Sequence, residues 1–135
     1  MEIKYDGCYI SEEQEDVRYH IDRRILEPYY LFYSFFPDGT WICKTADTKD
    51  FPFLPWLQAL DVETIRRNPE KDEPMMPNKE LLYQSGNWRM EDDTVHIEWK
   101  NSHVGNEPMY WFFRMKNEEE LETRGGEFTL IFKKF

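Results

Sequence analysis

Hydrophobic and polar side chains alternate with a period of two along much of this chain. The alternation is strict in residues 94–100, where polar side chains separate Val95, Ile97 and Trp99. A second alternating segment covers residues 17–22. Because successive side chains of a strand point to opposite faces, this pattern predicts β-strands with one buried face.

Short turn sequences separate the predicted strands. Pro37-Asp38-Gly39 lies between the apolar run 29–36 and the segment 40–44, and its proline and glycine favour a tight turn. Further turns are predicted at residues 91–93, 117–119 and 125–126. Sequential hairpins pair neighbouring strands, and closing a sheet removes its exposed edges. The pattern therefore predicts an all-β fold, an antiparallel meander that closes into a barrel of about eight to nine strands.

Residues 45–79 depart from this pattern. Prolines at positions 52, 55, 69, 74 and 77 would break the hydrogen-bond ladder of a sheet. Apolar residues at helical spacing predict one or two short helices around residues 55–67, followed by a polar loop at 70–79. We therefore interpret residues 1–135 as a single barrel domain with a small, proline-rich helical insertion at 45–79.

Several segments resemble a known type of barrel. The segment 86–97, GNWRMEDDTVHI, resembles the strand–turn–strand pattern of small bacterial lipocalin-like (calycin-type) domains, and residues 126–132 resemble their last strand. Residues 6–11, 29–30 and 35–39 are similar to the β-barrel region at the C-terminus of an F-box protein. These resemblances imply a lipocalin-like barrel and no activity. In lipocalins the Gly-x-Trp motif lies on the first strand, whereas Gly86-Asn87-Trp88 lies past the middle of this chain.

Composition narrows the classes of partner. The formal net charge of −10 repels phosphate backbones, so we expect no nucleic-acid partner. No apolar run approaches the length of a membrane span, and residues 1–6 lack the basic start and apolar stretch of a secretion signal. We therefore expect a cytoplasmic protein in which Cys8 and Cys43 are reduced and buried.

Aromatic residues make up 17% of the chain and carry the main functional hypothesis. Six apolar side chains fall at alternate positions on neighbouring predicted strands: Trp88, Trp99, Tyr110, Phe112, Phe128 and Leu130. They are candidates to line a barrel interior that holds a small hydrophobic ligand in a non-enzymatic binding protein. The alternative interpretation of the same rings is a packed core without a cavity.

The second hypothesis is an acidic protein-interaction module, of the kind that neutralises a basic partner such as a toxin. The segment 51–56 is unusually apolar for a loop, and its rings Phe51, Phe53 and Trp56 are the candidate partner contacts. They would either pack across one end of the barrel or bind a partner protein.

The third hypothesis is an enzyme, and the sequence offers little for it. His96 and Glu98 share one face of a predicted strand, as acid–base chemistry requires, and His20 would be a third group. Cys43 is a candidate nucleophile, but its apolar neighbours favour a buried structural thiol. We therefore expect no catalytic residue, no metal site and no cofactor.

Overall fold

A computed structural model describes residues 1–20, 23–59, 70–71, 83–101 and 107–135. Its strands are β1 (Gly7–Ser11), β2 (Gln14–His20), β3 (Arg23–Phe35), β4 (Thr40–Ala46), β5 (Glu70–Lys71), β6 (Tyr83–Glu91), β7 (Thr94–Asn101), β8 (Glu107–Asn117), β9 (Glu120–Thr123) and β10 (Thr129–Lys134). One helix, α1 (Phe53–Ala59), and a single 3₁₀ turn at Arg124–Gly126 complete the elements of the described residues.

Eight of these strands form a closed antiparallel barrel. The order around the barrel is β1-β10-β9-β8-β7-β6-β4-β3, and β3 returns to β1 through the pairs Tyr9↔Tyr33 and Ile10↔Phe32. This arrangement confirms the predicted fold class. Two strands lie outside the ring: β2 pairs with the first half of β3, and β5 pairs with the start of β6.

The element boundaries follow the predicted turns closely. Gly39 takes a φ of 88° after Pro37-Asp38, and Asp92 and Asp93 take φ values of 48° and 59° between β6 and β7. The alternating segment predicted at 17–22 belongs to β2, which begins earlier, at Gln14.

The helix of the proline-rich insertion begins earlier than predicted. It covers Phe53–Ala59, so Pro55 lies in its first turn, where the missing backbone N–H of a proline costs no hydrogen bond. The rest of the predicted helical stretch, 60–67, and most of the predicted loop, 72–79, fall outside the described residues. No helix among the described residues combines the length and apolar character needed to cross a membrane.

The interior of the barrel is filled by the alternate side chains of its strands. Those that are buried there include Tyr9, Phe35, Trp41, Cys43, Val95, Ile97, Phe113, Met115, Leu121 and Leu130. The N-terminal residues close one end of the barrel. Ile3 joins the core, and the Tyr9 hydroxyl accepts a hydrogen bond from Lys4 N–H at 3.1 Å and donates one to the Glu118 carbonyl at 2.8 Å.

A second apolar layer lies outside the barrel wall. Residues 51–57, here called the outer strap, lie over the outward-facing side chains Cys8, Phe32 and Ile42. The Phe53 ring is stacked on Phe32 with centroids 5.8 Å apart. The apolar segment that the sequence placed in a loop therefore packs against the side of the barrel.

Candidate functional site

The structure divides the six predicted ligand-contacting residues between the two faces of the barrel wall. Leu130 is fully buried in the interior, and Trp88, Trp99 and Phe128 pack against the interior core. Tyr110 and Phe112 lie on the outer face, with Tyr110 65% exposed. Their predicted position in the interior is wrong.

The register between β7 and β8 fixes the outward orientation of these two rings. Phe113 pairs with Val95, and both are buried inside the barrel. Residues that pair directly across an antiparallel ladder share a face, so the neighbouring Phe112 points outward together with its partner His96. The ring centroids of His96 and Phe112 are 6.2 Å apart.

Side chains occupy the barrel interior around its buried core. Tyr9, Phe35, Val95, Leu121 and Leu130 have essentially no accessible surface, so no water-sized space adjoins them. Edge-on aromatic contacts join several of these groups, as between Tyr9 and Phe35 with centroids 5.9 Å apart. This part of the interior is a packed core.

A groove of about 720 Å³ lies instead on the outer face of the barrel. Its floor is formed by β4, β6 and β7, and its sides by the β3–β4 turn and by Leu57 of the outer strap. The outward-facing side chains of the floor include Thr40, Asn87 and Glu98, which lie side by side on three adjacent strands.

The groove lies where β7 separates from β6. Pairing between the two strands ends at Asn87↔Glu98. Nearer the start of β6, at Gln84, the partner strand is β5 instead. At Gly86 a Cβ atom would lie 1.9 Å from the Glu98 carbonyl oxygen, so only glycine allows this close approach. The Trp41 indole N–H donates to the same carbonyl at 3.3 Å and fixes it above Gly86.

The lining of the groove combines apolar walls with charged groups at the rim. Phe36, Ile42 and Leu57 supply aliphatic and aromatic surface, and Trp99, half-buried, lies beside Trp41 with ring centroids 6.0 Å apart. The charged lining residues are Asp38, Glu98 and Lys100, all of them exposed. Asp38 accepts hydrogen bonds from the backbone N–H of Thr40 at 3.0 Å and from its hydroxyl at 2.6 Å.

The predicted partner contacts belong to the outer strap. Phe53 is buried, and Phe51 and Trp56 are half-buried. The centroid of the Trp56 ring lies 6.2 Å from that of Phe51 and 5.5 Å from that of Phe53. Lys44 is only 1% exposed beneath the strap. Its Nζ lies 5.3 Å from the Phe51 ring and 5.7 Å from the Trp56 ring, and it donates to the Thr45 carbonyl at 2.9 Å.

His96 and Glu98 share the outer face of β7, as predicted, whereas His20 lies elsewhere in the sheet. The carboxylate that His96 approaches is that of Glu91, with 4.0 Å between Nε2 and Oε2, on the exposed outer face. His20 ends β2, and β3, β4 and β6 separate that strand from β7 in the sheet.

The two thiols lie in the barrel wall and are poor nucleophiles. Cys43 faces the interior, where burial raises its pKa to about 12 despite a hydrogen bond with Tyr33. Cys8 faces the outer strap, and burial raises its pKa to about 11. A thiol with such a pKa stays protonated at neutral pH, and only the thiolate is strongly nucleophilic. Across the described ranges, no group of three or more His, Cys, Asp or Glu side chains could hold a metal ion.

Sequence reasoning missed the groove because the groove depends on a contact between distant positions. The one local signal is Gly86 inside the strand segment 83–91, because a glycine within a strand is typical of a bulge or bend. The structure places the Glu98 carbonyl against that glycine. Neither residue alone indicates where β7 leaves β6.

In three comparisons with known proteins, no family model, no curated protein and no solved structure matches this chain.

Proposed function

We propose that this chain is a non-enzymatic binding protein that takes one small apolar or aromatic molecule in the outer groove. The observation that carries the proposal is the groove itself, about 720 Å³ in volume and lined by Phe36, Ile42, Leu57 and Trp99. Small-molecule sites occupy about 300–1,000 Å³ and combine mostly apolar walls with a few polar groups that set orientation.

The packed interior moves the proposed ligand from the barrel centre to its wall. A ligand beside Tyr9, Val95 or Leu130 would have to displace buried side chains, which costs packing free energy. A ligand in the groove displaces only water. Trp99 is the one predicted ligand residue among the lining residues, but its ring packs against the interior core, so Phe36 on the outer side is the aromatic contact for a flat molecule.

The barrel also supports placing the chain among small bacterial lipocalin-like domains, which the segment 86–97 resembles. The support comes from the closed, eight-stranded antiparallel architecture. The raised pKa values of both thiols and the strands that separate His20 from β7 support a non-catalytic role.

The position of the outer strap favours ligand binding over the partner-docking alternative. Phe53 and its neighbours bury their apolar surface against Cys8, Phe32 and Ile42. A protein partner that used these rings would first have to detach the strap and expose that surface, at a cost of about 25 cal/mol per Å² of apolar area.

Titration with naphthalene methanol, followed by tryptophan fluorescence, tests the proposal. We expect saturable quenching in the wild-type chain and its loss in Asn87→Phe, because that exposed side chain projects from the groove floor. Arg89→Phe is the matched control: it lies two residues further along the same face of β6, outside the groove, and should bind as the wild type does. Equal binding by both variants, or no binding by the wild type, would contradict the proposal.

A further inference from the structure

The charged groups at the rim of the groove point to the chemical class of its ligand. Asp38 and Glu98 contribute two carboxylates, and Lys100 contributes one ammonium. The rim therefore carries one excess negative charge, in a chain whose formal net charge is −10. Both the near field and the field of the whole protein attract a cation to this surface.

The position of Glu98 is fixed by its backbone. Its carbonyl oxygen is held by the Trp41 indole and lies against Gly86, and its pairing with Asn87 ends the β6–β7 ladder. The side chain consequently starts from a rigid point on the outer groove floor, on the same face as Thr40 and Asn87. An exposed carboxylate at the edge of an apolar groove attracts an organic cation, whose apolar body can lie in the groove while its charge stays near the carboxylate.

We infer that the groove is selective for a cationic aromatic amphiphile: a flat apolar body that lies against Phe36 and Leu57, with an ammonium group directed at Glu98. This inference rests on the proposed function and adds the charge of the ligand to it. Lys100, at the same edge of the groove, would disfavour a doubly charged cation and sets the preference at a single positive charge.

Three probes with the same naphthalene body separate charge from shape. Naphthylmethylammonium, naphthalene methanol and naphthoate are cationic, neutral and anionic at neutral pH. At low ionic strength we expect the cation to bind about three- to tenfold more tightly than the anion, with the neutral probe between them, and the difference to shrink at high salt.

Substitutions assign the preference to a residue. Glu98→Gln should weaken binding of the cationic probe by about two- to fivefold and leave the neutral probe unchanged, since an exposed charge pair has a small interaction energy. Glu118→Gln, an exposed turn residue at the far end of β8, makes the same change in net charge and should leave both probes unaffected.

The outcomes distinguish the two proposals. Equal or tighter binding of naphthoate, or equal loss of cation binding in Glu98→Gln and Glu118→Gln, would overturn the inference and leave the binding function intact. Failure of all three probes to bind the wild-type chain would overturn the proposed function as well.

Discussion

Two neighbouring areas of the outer barrel wall share strand β4 and differ in their accessibility. In the covered area, the outer strap buries Cys8, Phe32 and Ile42 and turns the outside of the sheet into a second core. In the groove, the adjoining surface of β4, β6 and β7 stays accessible, with Ile42 and Leu57 at the boundary between the two.

The difference follows from what each area offers to the strap. The covered area presents a continuous apolar surface that includes Phe32 and Ala46, and rings on the strap stack on it. The groove floor presents hydroxyl, amide and carboxylate groups at Thr40, Asn87 and Glu98, which are better left in contact with water. The outer strap therefore covers one area of the outer barrel wall, and the adjoining area stays open to a ligand.

The covered area should carry the larger share of stability. Phe32 is 1% exposed between the barrel wall and the strap, so Phe32→Ala should reduce the free energy of unfolding by about 3–5 kcal/mol. Phe112→Ala, on the half-buried outer surface of β8, should cost less than about 1.5 kcal/mol. Urea unfolding followed by circular dichroism measures both. Similar losses would contradict a second core under the strap.

The boundary of the groove is tested at Gly86. A Cβ atom there meets the Glu98 carbonyl at 1.9 Å, so Gly86→Ala should cost about 2 kcal/mol and weaken probe binding by displacing β7. Gly125→Ala is the control, because its Cβ would have open space and only its φ of 79° is unfavourable. We expect that variant to lose about 1 kcal/mol and to bind normally. Unchanged probe binding by Gly86→Ala would show that the groove does not depend on the close approach of the Glu98 carbonyl to Gly86.

The pKa of the Cys8 thiol makes the stability of the covered area dependent on pH. The unfolded thiol ionises near pH 9.0, whereas burial raises the pKa in the fold to about 11. Between these values the unfolded chain has released a proton that the folded chain keeps, so the stability contributed below pH 9.0 is lost as the pH approaches 11.

Wild-type chain should therefore lose about 1 kcal/mol more stability than Cys8→Ala between pH 8 and pH 10.5. Parallel urea titrations across this range provide the measurement. Identical pH profiles of the two chains would indicate that Cys8 is solvated beneath the strap.

The smallest effect is expected at Tyr110, which pairs with Glu98 on the outer face of β8 but does not line the groove. Its side chain is 65% exposed, so Tyr110→Ser should change the free energy of unfolding by less than about 0.5 kcal/mol. Probe affinity should also stay unchanged, in contrast to Leu57→Ala, which removes apolar surface from the groove lining. A clear loss of binding in Tyr110→Ser would restore Tyr110 as a ligand contact.

Most of the fold could be predicted because its signals are local. Strict alternation around Val95 and Ile97 identified β7 and its buried face, and the turns at Gly39 and Asp92-Asp93 identified the hairpins that flank β4 and β7. These patterns depend on a few adjacent residues, so the sequence contains them directly.

The phase of β8 could not be predicted, because residues 110–113 are aromatic at every position. Periodicity does not distinguish the faces of such a run, and only the pairing of Phe113 with Val95 orients it. The groove was beyond prediction for a similar reason. It depends on the approach of Glu98 to Gly86 and on the place where the strap ends, both set by tertiary packing.

The indole N–H signals of the five tryptophans provide the most direct test of the groove as the ligand site. In a proton–nitrogen correlation NMR spectrum, naphthylmethylammonium should shift the signals of Trp99 and Trp41 and leave those of Trp56 and Trp111 in place. The Trp88 indole N–H donates to the carbonyl of the groove-lining Phe36 at 2.9 Å, so its signal should follow that of Trp41. Shifts confined to Trp56 would move the site to the outer strap, and shifts of Trp88 or Trp111 without Trp41 would move it to an end of the barrel; either result would contradict the account.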